Sequence, residues 1–266
     1  AMYLLSDRDV VDALEASRKR GVVVRVMLEE NPFGTGPGNQ SVFARLTAAG
    51  IAARWGPARF RFNHEKYAVS DGRVALVGTA NWTFSAFATN REYLVVDSDP
   101  FDVAQLSALF DADWGQQQAA VSAPNLVVSP INSRAGFDAL VGAAKQTVDL
   151  ESEEMEDAGI ASVLVAAERR GVRVRAIFPA PTSRADPNAP GERTLVAGEV
   201  QVRRLAKPYV HGKELVIDER EAFVGSENFS KASLDENREV GLLLGDPVTI
   251  QRIEGTFGRD WQAAKP

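Results

Sequence analysis

The chain has 266 residues, enough for one large domain or two medium ones, and its 45% hydrophobic and 25% charged residues are ordinary globular usage. It has no cysteine and two histidines, which excludes a disulfide framework, a thiolate metal site, a cysteine nucleophile and a histidine-rich metal site. A net charge of −6 argues against a dedicated non-specific nucleic-acid binder, and no apolar run approaches the roughly 20 residues that span a bilayer.

The first predicted elements are an amphipathic helix, a buried strand and an irregular loop. Apolar residues recur at helical spacing from Val10 to Leu14, and Gly21 is typical of a helix C-terminus. The valine-rich run 22–26 is typical of a buried strand. Gly and Pro exclude regular structure from residues 31–39. Because this loop follows the strand, we expect it to lie at a rim and shape substrate entry, with a plain surface loop as the alternative.

A histidine and a lysine stand two residues apart in the middle of the first half. Side chains of a strand alternate between its faces, so His64 and Lys66 point the same way. A lysine on a core strand needs a nearby anion, because burying an unpaired charge is costly. That anion is either a protein carboxylate or a substrate phosphate. The polar and aromatic residues that follow include Asp71, Thr79, Asn81, Trp82 and the run Asn90-Arg91-Glu92.

The second half repeats this pattern at a constant spacing, with His211 and Lys213 in place of the first pair. Such a series indicates an internal duplication of a whole αβ unit. A helix, Gly171 and a strand recur as well, and residues 179–191 form the second irregular loop. Further pairs share the spacing: Asp71 and Asp218, Gly78 and Gly225, Thr79 and Ser226, Asn81 and Asn228, Glu92 and Glu239, Asp99-Pro100 and Asp246-Pro247, Asp113-Trp114 and Asp260-Trp261.

Strands alternating with helices predict an α/β fold of two tandem units, each with a mixed, largely parallel sheet flanked by helices. We expect the boundary near Val121, which divides the chain into residues 1–121 and 122–266. The first unit has only residues 1–5 where the second has a helix and a strand near residues 137–150. Comparison of the repeats therefore predicts that roughly 25–30 residues of a full first unit are absent from this chain.

Each histidine is accompanied by the same set of polar residues, which argues against two ordinary buried histidines. Glu92 and Glu239 are predicted to orient the histidines by accepting from a ring nitrogen, as the carboxylate of a catalytic triad does. Two lysines and two asparagines are predicted to donate hydrogen bonds to a pentacoordinate phosphoryl transition state. These four donors are Lys66, Lys213, Asn81 and Asn228.

Four further residues are predicted to contact substrate. Thr79 and Ser226 carry a hydroxyl at the same repeat position, close to the asparagines. Arg61 belongs to one of two basic runs that favour an anionic ligand, with a solvated strand edge as the alternative. Trp82 is predicted to contact an acyl chain or a base, with packing at a helix start as the alternative. The two basic runs comprise Arg54, Arg59, Arg61, Arg203, Arg204 and Lys207.

The two motifs resemble the paired signature of the phospholipase D superfamily, His-x-Lys-x4-Asp, then Gly-Thr/Ser-x-Asn, then Asn-Arg-Glu. The resemblance covers nearly the whole chain and implies one active site at the interface of the two units, with no metal or other cofactor. It also implies that one histidine forms a covalent phosphohistidine, while the other protonates the leaving alcohol and then activates water or an acceptor alcohol. By the pattern of two-motif relatives, we expect His64 as the nucleophile and His211 as the acid and base. Asp71 and Asp218 are expected to be structural.

The resemblance leaves the substrate open among phospholipids, nucleic acids and other phosphodiesters. Two motifs in one chain favour a lipid-acting member by analogy. We therefore expect a metal-independent phosphodiesterase or phosphatidyltransferase that hydrolyses or transphosphatidylates phospholipids, in contact with a membrane surface. A nuclease that cleaves DNA or RNA is the alternative, and a catalytically silent phosphate- or membrane-binding module is the third hypothesis. A monomer suffices for one shared site, and an exported protein is slightly favoured over a cytoplasmic one.

Overall fold

A computed structural model describes residues 1–34, 36, 38–181 and 186–266. Thr35, Pro37 and residues 182–185 belong to the two loops predicted to shape substrate entry, so part of each loop lies outside the described residues. Across the described ranges, no helix is both long enough and apolar enough to cross a membrane.

The first half alternates helices and strands, as the sequence predicts. Gly21 follows the first helix with a φ of 92°, in the left-handed region that favours glycine and ends a helix. The elements are α1 (Arg8–Lys19), β1 (Arg25–Leu28), α2 (Gln40–Ala48), β2 (Ala52–Trp55), β3 (Tyr67–Ser70), β4 (Val74–Gly78), α3 (Phe84–Ala88), β5 (Asn90–Arg91), β6 (Leu94–Asp97) and α4 (Pro100–Trp114).

The second half begins with a strand and a helix that precede the repeated pattern. The predicted boundary at Val121 falls in the segment 115–125 between the last helix of the first half and this strand. The elements are β7 (Leu126–Ser129), α5 (Ser133–Ala143), β8 (Thr147–Ser152), α6 (Ala158–Arg169), β9 (Arg173–Pro179), α7 (Ala189–Ala197), β10 (Gln201–Leu205), β11 (Tyr209–Val210), β12 (Lys213–Ile217), β13 (Glu221–Gly225), α8 (Lys231–Asp235), β14 (Glu239–Leu244) and α9 (Pro247–Ala263).

The strands of the second half form a mixed sheet, which confirms the predicted fold class. Within the described residues this sheet has seven strands in the order β10-β9-β8-β12-β13-β14-β7. Only β10–β9 and β9–β8 pair in parallel, whereas the other neighbours are antiparallel. The expectation of largely parallel pairing is therefore corrected. Helical crossovers produce the parallel pairs, while the short turn between β12 and β13 forces those strands to be antiparallel.

The first half contains a similar arrangement divided into two smaller sheets, β1-β2 and β3-β4-β6, in the described part of the chain. Met2 bridges the two, parallel to Leu28 and antiparallel to Lys66. This is the place that Ser152, at the end of β8, takes between β9 and β12. Residues 22–23, predicted to begin a buried strand, are exposed, and β1 begins only at Arg25.

A hydrophobic cluster joins the two halves. It is built from β3, β4 and α4 of the first half and from β7 and β14 of the second half. Removing this apolar surface from water favours association of the halves and brings the two histidine motifs to a common interface. Its members include Tyr67, Val77, Val103, Leu106, Leu126, Val128, Val240 and Leu242.

The repeated Asp-Pro pairs are helix-start signals. Asp99 caps α4 by accepting from the Phe101 amide at 2.8 Å, and Asp246 caps α9 by accepting from the Thr249 amide at 2.8 Å. The proline that follows each aspartate occupies the first helical turn, where its missing N–H costs nothing. The Asp-Pro pairs that recur in both halves therefore stabilise the fold.

Candidate active site

Each histidine is held by a glutamate from the opposite half. His64 Nδ1 lies 2.8 Å from Glu239 Oε2, and His211 Nδ1 lies 2.9 Å from Glu92 Oε2. Each carboxylate accepts a hydrogen bond from Nδ1–H, so each ring presents Nε2 as its reactive nitrogen. The sequence predicts these glutamates but not that each one contacts the histidine of the opposite half. Because the pairs cross the interface, both halves are needed to form the site.

Backbone hydrogen bonds and ion pairs also connect the two halves beside the histidine–glutamate pairs. The His64 amide donates to the Arg238 carbonyl at 2.8 Å, while the Arg238 guanidinium donates to Asp113 Oδ1 at 3.1 Å. Arg91 of the first half pairs in the same way with Asp260 of the second, with Nη2 and Oδ1 2.9 Å apart. Each Asn-Arg-Glu run thus supplies a glutamate to the opposite histidine and an arginine to the opposite aspartate.

Glu239 is held by two donors besides His64. Ser233 Oγ donates to it at 2.7 Å, and Asn237 Nδ2 donates at 3.0 Å. Burial opposes the charge, but His64 and a nearby lysine outweigh burial, so the pKa of Glu239 lies below its usual value. Sequence reasoning missed Ser233, because the first half has Ala86 at the equivalent position and no motif marks it.

Thr79 and Ser226, predicted to contact substrate, lie beneath the site instead. Both residues are fully buried. Thr79 Oγ1 donates to Glu92 Oε2 at 2.5 Å and accepts from the Tyr93 amide at 2.9 Å. Ser226 Oγ accepts from the Val240 amide at 2.9 Å. The geometry gives Thr79 the task of orienting Glu92 and does not support direct substrate contact by either hydroxyl.

The two lysines are buried and differ in their partners. Lys66 Nζ donates to the His64 carbonyl at 2.7 Å, and Lys213 Nζ donates to the His211 carbonyl at 2.7 Å. Lys213 Nζ also lies 2.7 Å from Glu153 Oε2. The anion that a buried lysine requires is therefore a protein carboxylate in the second half. Sequence reasoning missed Glu153, which belongs to no repeated motif.

Burial controls the protonation of the first histidine motif. It lowers the pKa of Lys66 to about 7, with the charge of Lys213 acting in the same direction. Burial also lowers the pKa of His64, opposed by Glu239 and assisted by the two lysines. A neutral imidazole at His64 is therefore favoured near neutral pH.

Asn81 and Asn228 stand just after β4 and β13 with uncommitted side chains. Neither side-chain amide forms a hydrogen bond with another described residue, and both Oδ1 atoms are buried without a partner. An unpaired buried amide is costly. Their placement is consistent with the predicted role as donors to phosphate oxygens.

Arg61 and Trp82 do not join the site in the way predicted. The Arg61 side chain is 58% exposed and pairs with Glu236 at 3.1 Å. Trp82 is half-buried and packs against the apolar core of the first half, beside Leu5. In the described part of the chain, neither residue forms a hydrogen bond or ion pair with the predicted catalytic residues. Substrate contact by these two side chains is not supported.

The two aspartates of the motifs lie in the turns after β3 and β12. Asp218 accepts from the backbone amides of residues 145–147 at 2.6 to 2.9 Å and so anchors the start of β8. Asp71 is exposed. Both residues adopt a left-handed φ, 53° for Asp71 and 52° for Asp218. The hydrogen bonds of Asp218 agree with the expected structural role.

A family model described as cardiolipin synthase, PLD-like domain, matches residues 1–114 and 138–261. The chain belongs to the phospholipase D superfamily. Both matched segments contain one complete histidine motif, in agreement with the duplication and with the phospholipase D resemblance of the sequence.

Curated phospholipase D relatives include a synthase and a hydrolase. The chain is 26% identical to cardiolipin synthase B of Escherichia coli K12 over 279 residues, which cover 88% of this chain and 66% of the synthase. It is 32% identical to the mitochondrial cardiolipin hydrolase of Xenopus laevis over 119 residues, which cover 45% of this chain and 55% of the hydrolase. The chain thus spans between about half and two thirds of the length of these relatives.

Among solved structures, the fold is similar to that of phosphatidylserine synthase from Haemophilus influenzae Rd KW20. The TM-score is 0.74, with 14% sequence identity over 100% of this chain and 80% of the synthase. At this level of identity the likeness concerns the phospholipase D fold alone.

Proposed function

We propose that the protein is a phospholipid phosphodiesterase or phosphatidyltransferase that works through a covalent phosphohistidine. The observation that carries the proposal is a pair of imidazoles, each oriented by a glutamate of the opposite half and accompanied by a buried lysine. Two lysines and two asparagines supply donors for the charge that develops on the phosphoryl oxygens. The names of the relatives, a cardiolipin synthase and a cardiolipin hydrolase, support a phospholipid substrate.

His64 suits the role of nucleophile. Its lowered pKa favours the neutral ring, and Glu239 holds the Nδ1 proton, so Nε2 carries a free electron pair. In the proposed first step, His64 Nε2 attacks phosphorus, a P–N bond forms and the P–O bond to the leaving alcohol breaks. The neutral form needs no external base to begin the reaction.

His211 suits the role of acid and base. Carboxylates face both ring nitrogens, Glu92 at Nδ1 and Glu153 Oε2 at 3.4 Å from Nε2. An acceptor at each nitrogen suits the doubly protonated ring that must give its proton to the leaving oxygen. The neutral ring then takes a proton from water or an acceptor alcohol, whose oxygen displaces His64 from phosphorus.

The basic runs give little support to the nuclease alternative, because their arginines are engaged by protein groups. A nucleic-acid track needs basic side chains available to successive phosphates. The partners are Trp114 for Arg54, Asp113 for Arg59, Glu236 for Arg61, Trp261 for Arg203, and Asp186 and Glu192 for Arg204. A phospholipid is therefore favoured over a nucleic acid as the substrate.

A substrate panel in the presence of chelator tests the proposal. It compares vesicles of phosphatidylcholine, phosphatidylglycerol and cardiolipin with single-stranded DNA and bis(p-nitrophenyl) phosphate. We expect head-group release from a phospholipid in wild type, a loss of about a thousandfold or more in His64→Ala, and full activity in Asp71→Asn, which changes an exposed residue of the same motif. Cleavage of DNA without turnover of any lipid would support the nuclease instead, and lipid turnover that persists in His64→Ala would overturn the mechanism.

A further inference from the structure

A carboxylate faces the reactive nitrogen of His211. Glu153 directly follows β8, and its Oε2 lies 3.4 Å from His211 Nε2 and 2.7 Å from Lys213 Nζ. Its Oε1 accepts from the Tyr209 hydroxyl at 3.1 Å. Burial opposes the charge, but His211 and Lys213 outweigh burial and lower the pKa of Glu153 to about 2, so the carboxylate stays ionised. The side chain remains 19% exposed, which lets a bound molecule reach it.

The first half has an aromatic ring where the second half has this carboxylate. Met2 and Ser152 take equivalent places in the two halves, so the residues that follow them, Tyr3 and Glu153, correspond. The Tyr3 ring lies edge-on to the His64 ring, with 4.4 Å between the centroids. The two histidines are alike in their glutamate partners and differ in this neighbour. The second motif therefore has a carboxylate with a task for which the first motif has no counterpart.

Hydrogen-bonding capacity indicates what this task is. Lys213 has three N–H donors and gives one to the His211 carbonyl and one to Glu153, which leaves one for a phosphoryl oxygen. A carboxylate accepts about four hydrogen bonds, so Glu153 can accept more than those from Lys213 and Tyr209. An oxygen that reacts at His211 Nε2 must come within hydrogen-bond distance of that nitrogen. A second donor on the same molecule then lies beside Glu153.

We propose that Glu153 selects the acceptor of the phosphatidyl group by binding a second hydrogen-bond donor on it. The inference rests on the proposed function. In the second step, the acceptor O–H gives its proton to His211 Nε2, a P–O bond forms, and the P–N bond to His64 breaks with its electron pair returning to the imidazole. Water donates its other hydrogen to Glu153, and a polyol such as glycerol donates a neighbouring hydroxyl. A simple alcohol has no second donor, so the Glu153 carboxylate lacks that hydrogen bond. The simple alcohol is therefore disfavoured as an acceptor of the phosphatidyl group.

Competition between two three-carbon acceptors tests this selection. Vesicles of phosphatidylcholine and phosphatidylglycerol are incubated with the enzyme in equal concentrations of deuterated glycerol and 1-propanol. Mass spectrometry then measures phosphatidic acid, deuterated phosphatidylglycerol and phosphatidylpropanol in one sample. We expect wild type to favour glycerol over propanol, and Glu153→Gln and Glu153→Tyr to lower that product ratio about tenfold. Glu156→Gln removes the same charge from an exposed residue of the same loop and should leave the ratio unchanged.

The product ratio separates selection from a role in holding Lys213. If all products of Glu153→Gln fall together at an unchanged ratio, Glu153 only positions the lysine and the inference is overturned. If Glu153→Gln has no activity, Glu153→Asp decides: a lowered ratio supports selection, and a wild-type ratio overturns it. A wild-type enzyme that cleaves bis(p-nitrophenyl) phosphate but no phospholipid overturns the lipid function and this inference together.

Discussion

At the scale of single residues, burial decides which protonation states the site can use. Lys66 must be protonated to bring a positive charge to a phosphoryl oxygen, yet its pKa is lowered to about 7. His64 must be neutral to attack, and its lowered pKa extends the neutral form toward acid. The two requirements act in opposite directions along the pH scale.

The predicted pH dependence follows from these two groups. Activity falls on the alkaline side as Lys66 loses its proton near pH 7, and on the acid side only below the lowered pKa of His64. In Lys66→Arg the guanidinium stays protonated, so the alkaline limb should move up by about two pH units or more. The measurement is kcat/KM against pH on bis(p-nitrophenyl) phosphate, whose leaving group needs no proton. An alkaline limb that stays in place in Lys66→Arg would contradict this account, and Lys207→Arg, at an exposed lysine, is the control.

At the scale of elements, the duplication supplies matched positions with different duties. Asp218 holds three backbone amides at the start of β8, whereas Asp71 occupies the corresponding turn and is exposed. The same left-handed backbone at both positions means that an alanine is equally strained at either site. Any difference between the two alanine variants therefore reports the hydrogen bonds.

We expect Asp218→Ala to lower the free energy of unfolding by about 2 kcal/mol more than Asp71→Ala, because it removes three charge-assisted hydrogen bonds. Urea denaturation of both variants at neutral pH measures the difference. The pKa of Asp218 lies below its usual value, since backbone hydrogen bonds outweigh burial. The extra stability is therefore present above the unfolded pKa and lost as pH falls through the folded pKa, so the two variants should converge in acid. Equal losses at neutral pH would show that these bonds contribute nothing net.

The elements also show where sequence reasoning reaches its limit. Identical residues at a constant spacing reveal the duplication, the histidines and their glutamates without any structure. Because both halves carry the same motif, the sequence does not show whether each glutamate contacts the histidine of its own half or the histidine of the opposite half. Comparison of the repeats did not identify Glu153 and Ser233, because the first half has Tyr3 and Ala86 at the equivalent positions. The direction of strand pairing was not predicted correctly, because the alternation of helices and strands does not reveal the hairpin that β12 forms with β13.

At the scale of the whole molecule, the halves are joined by an apolar cluster and by reciprocal ion pairs. Arg238 is 2% exposed and depends on Asp113 across the interface, while its carbonyl holds the His64 amide. Asp113→Asn leaves a buried guanidinium without its counter-charge, which should cost about 3 to 5 kcal/mol and lower activity as well. Asp111→Asn, at the exposed pair with Arg25, should cost less than about 1 kcal/mol.

Urea unfolding followed by tryptophan fluorescence, with activity measured in parallel, checks the prediction for Asp113. Because the cluster spans both halves, we also expect one cooperative transition in wild type. Similar losses of stability in Asp113→Asn and Asp111→Asn would contradict the view that the buried pair joins the halves.

The central claim is one site, shared by the two halves, in which His64 bonds to phosphorus and His211 moves the proton. The most direct test mixes His211→Asn with bis(p-nitrophenyl) phosphate, quenches in base, where phosphohistidine survives, and locates the adduct by peptide mass spectrometry. A leaving group that needs no acid allows the first step, while the missing base stalls the second. The account predicts about one equivalent of nitrophenolate and an adduct on the peptide containing His64, with no adduct in His64→Asn. An adduct on His211 in the His64→Asn protein would reverse the assigned roles, and turnover without an adduct in either variant would contradict the covalent mechanism.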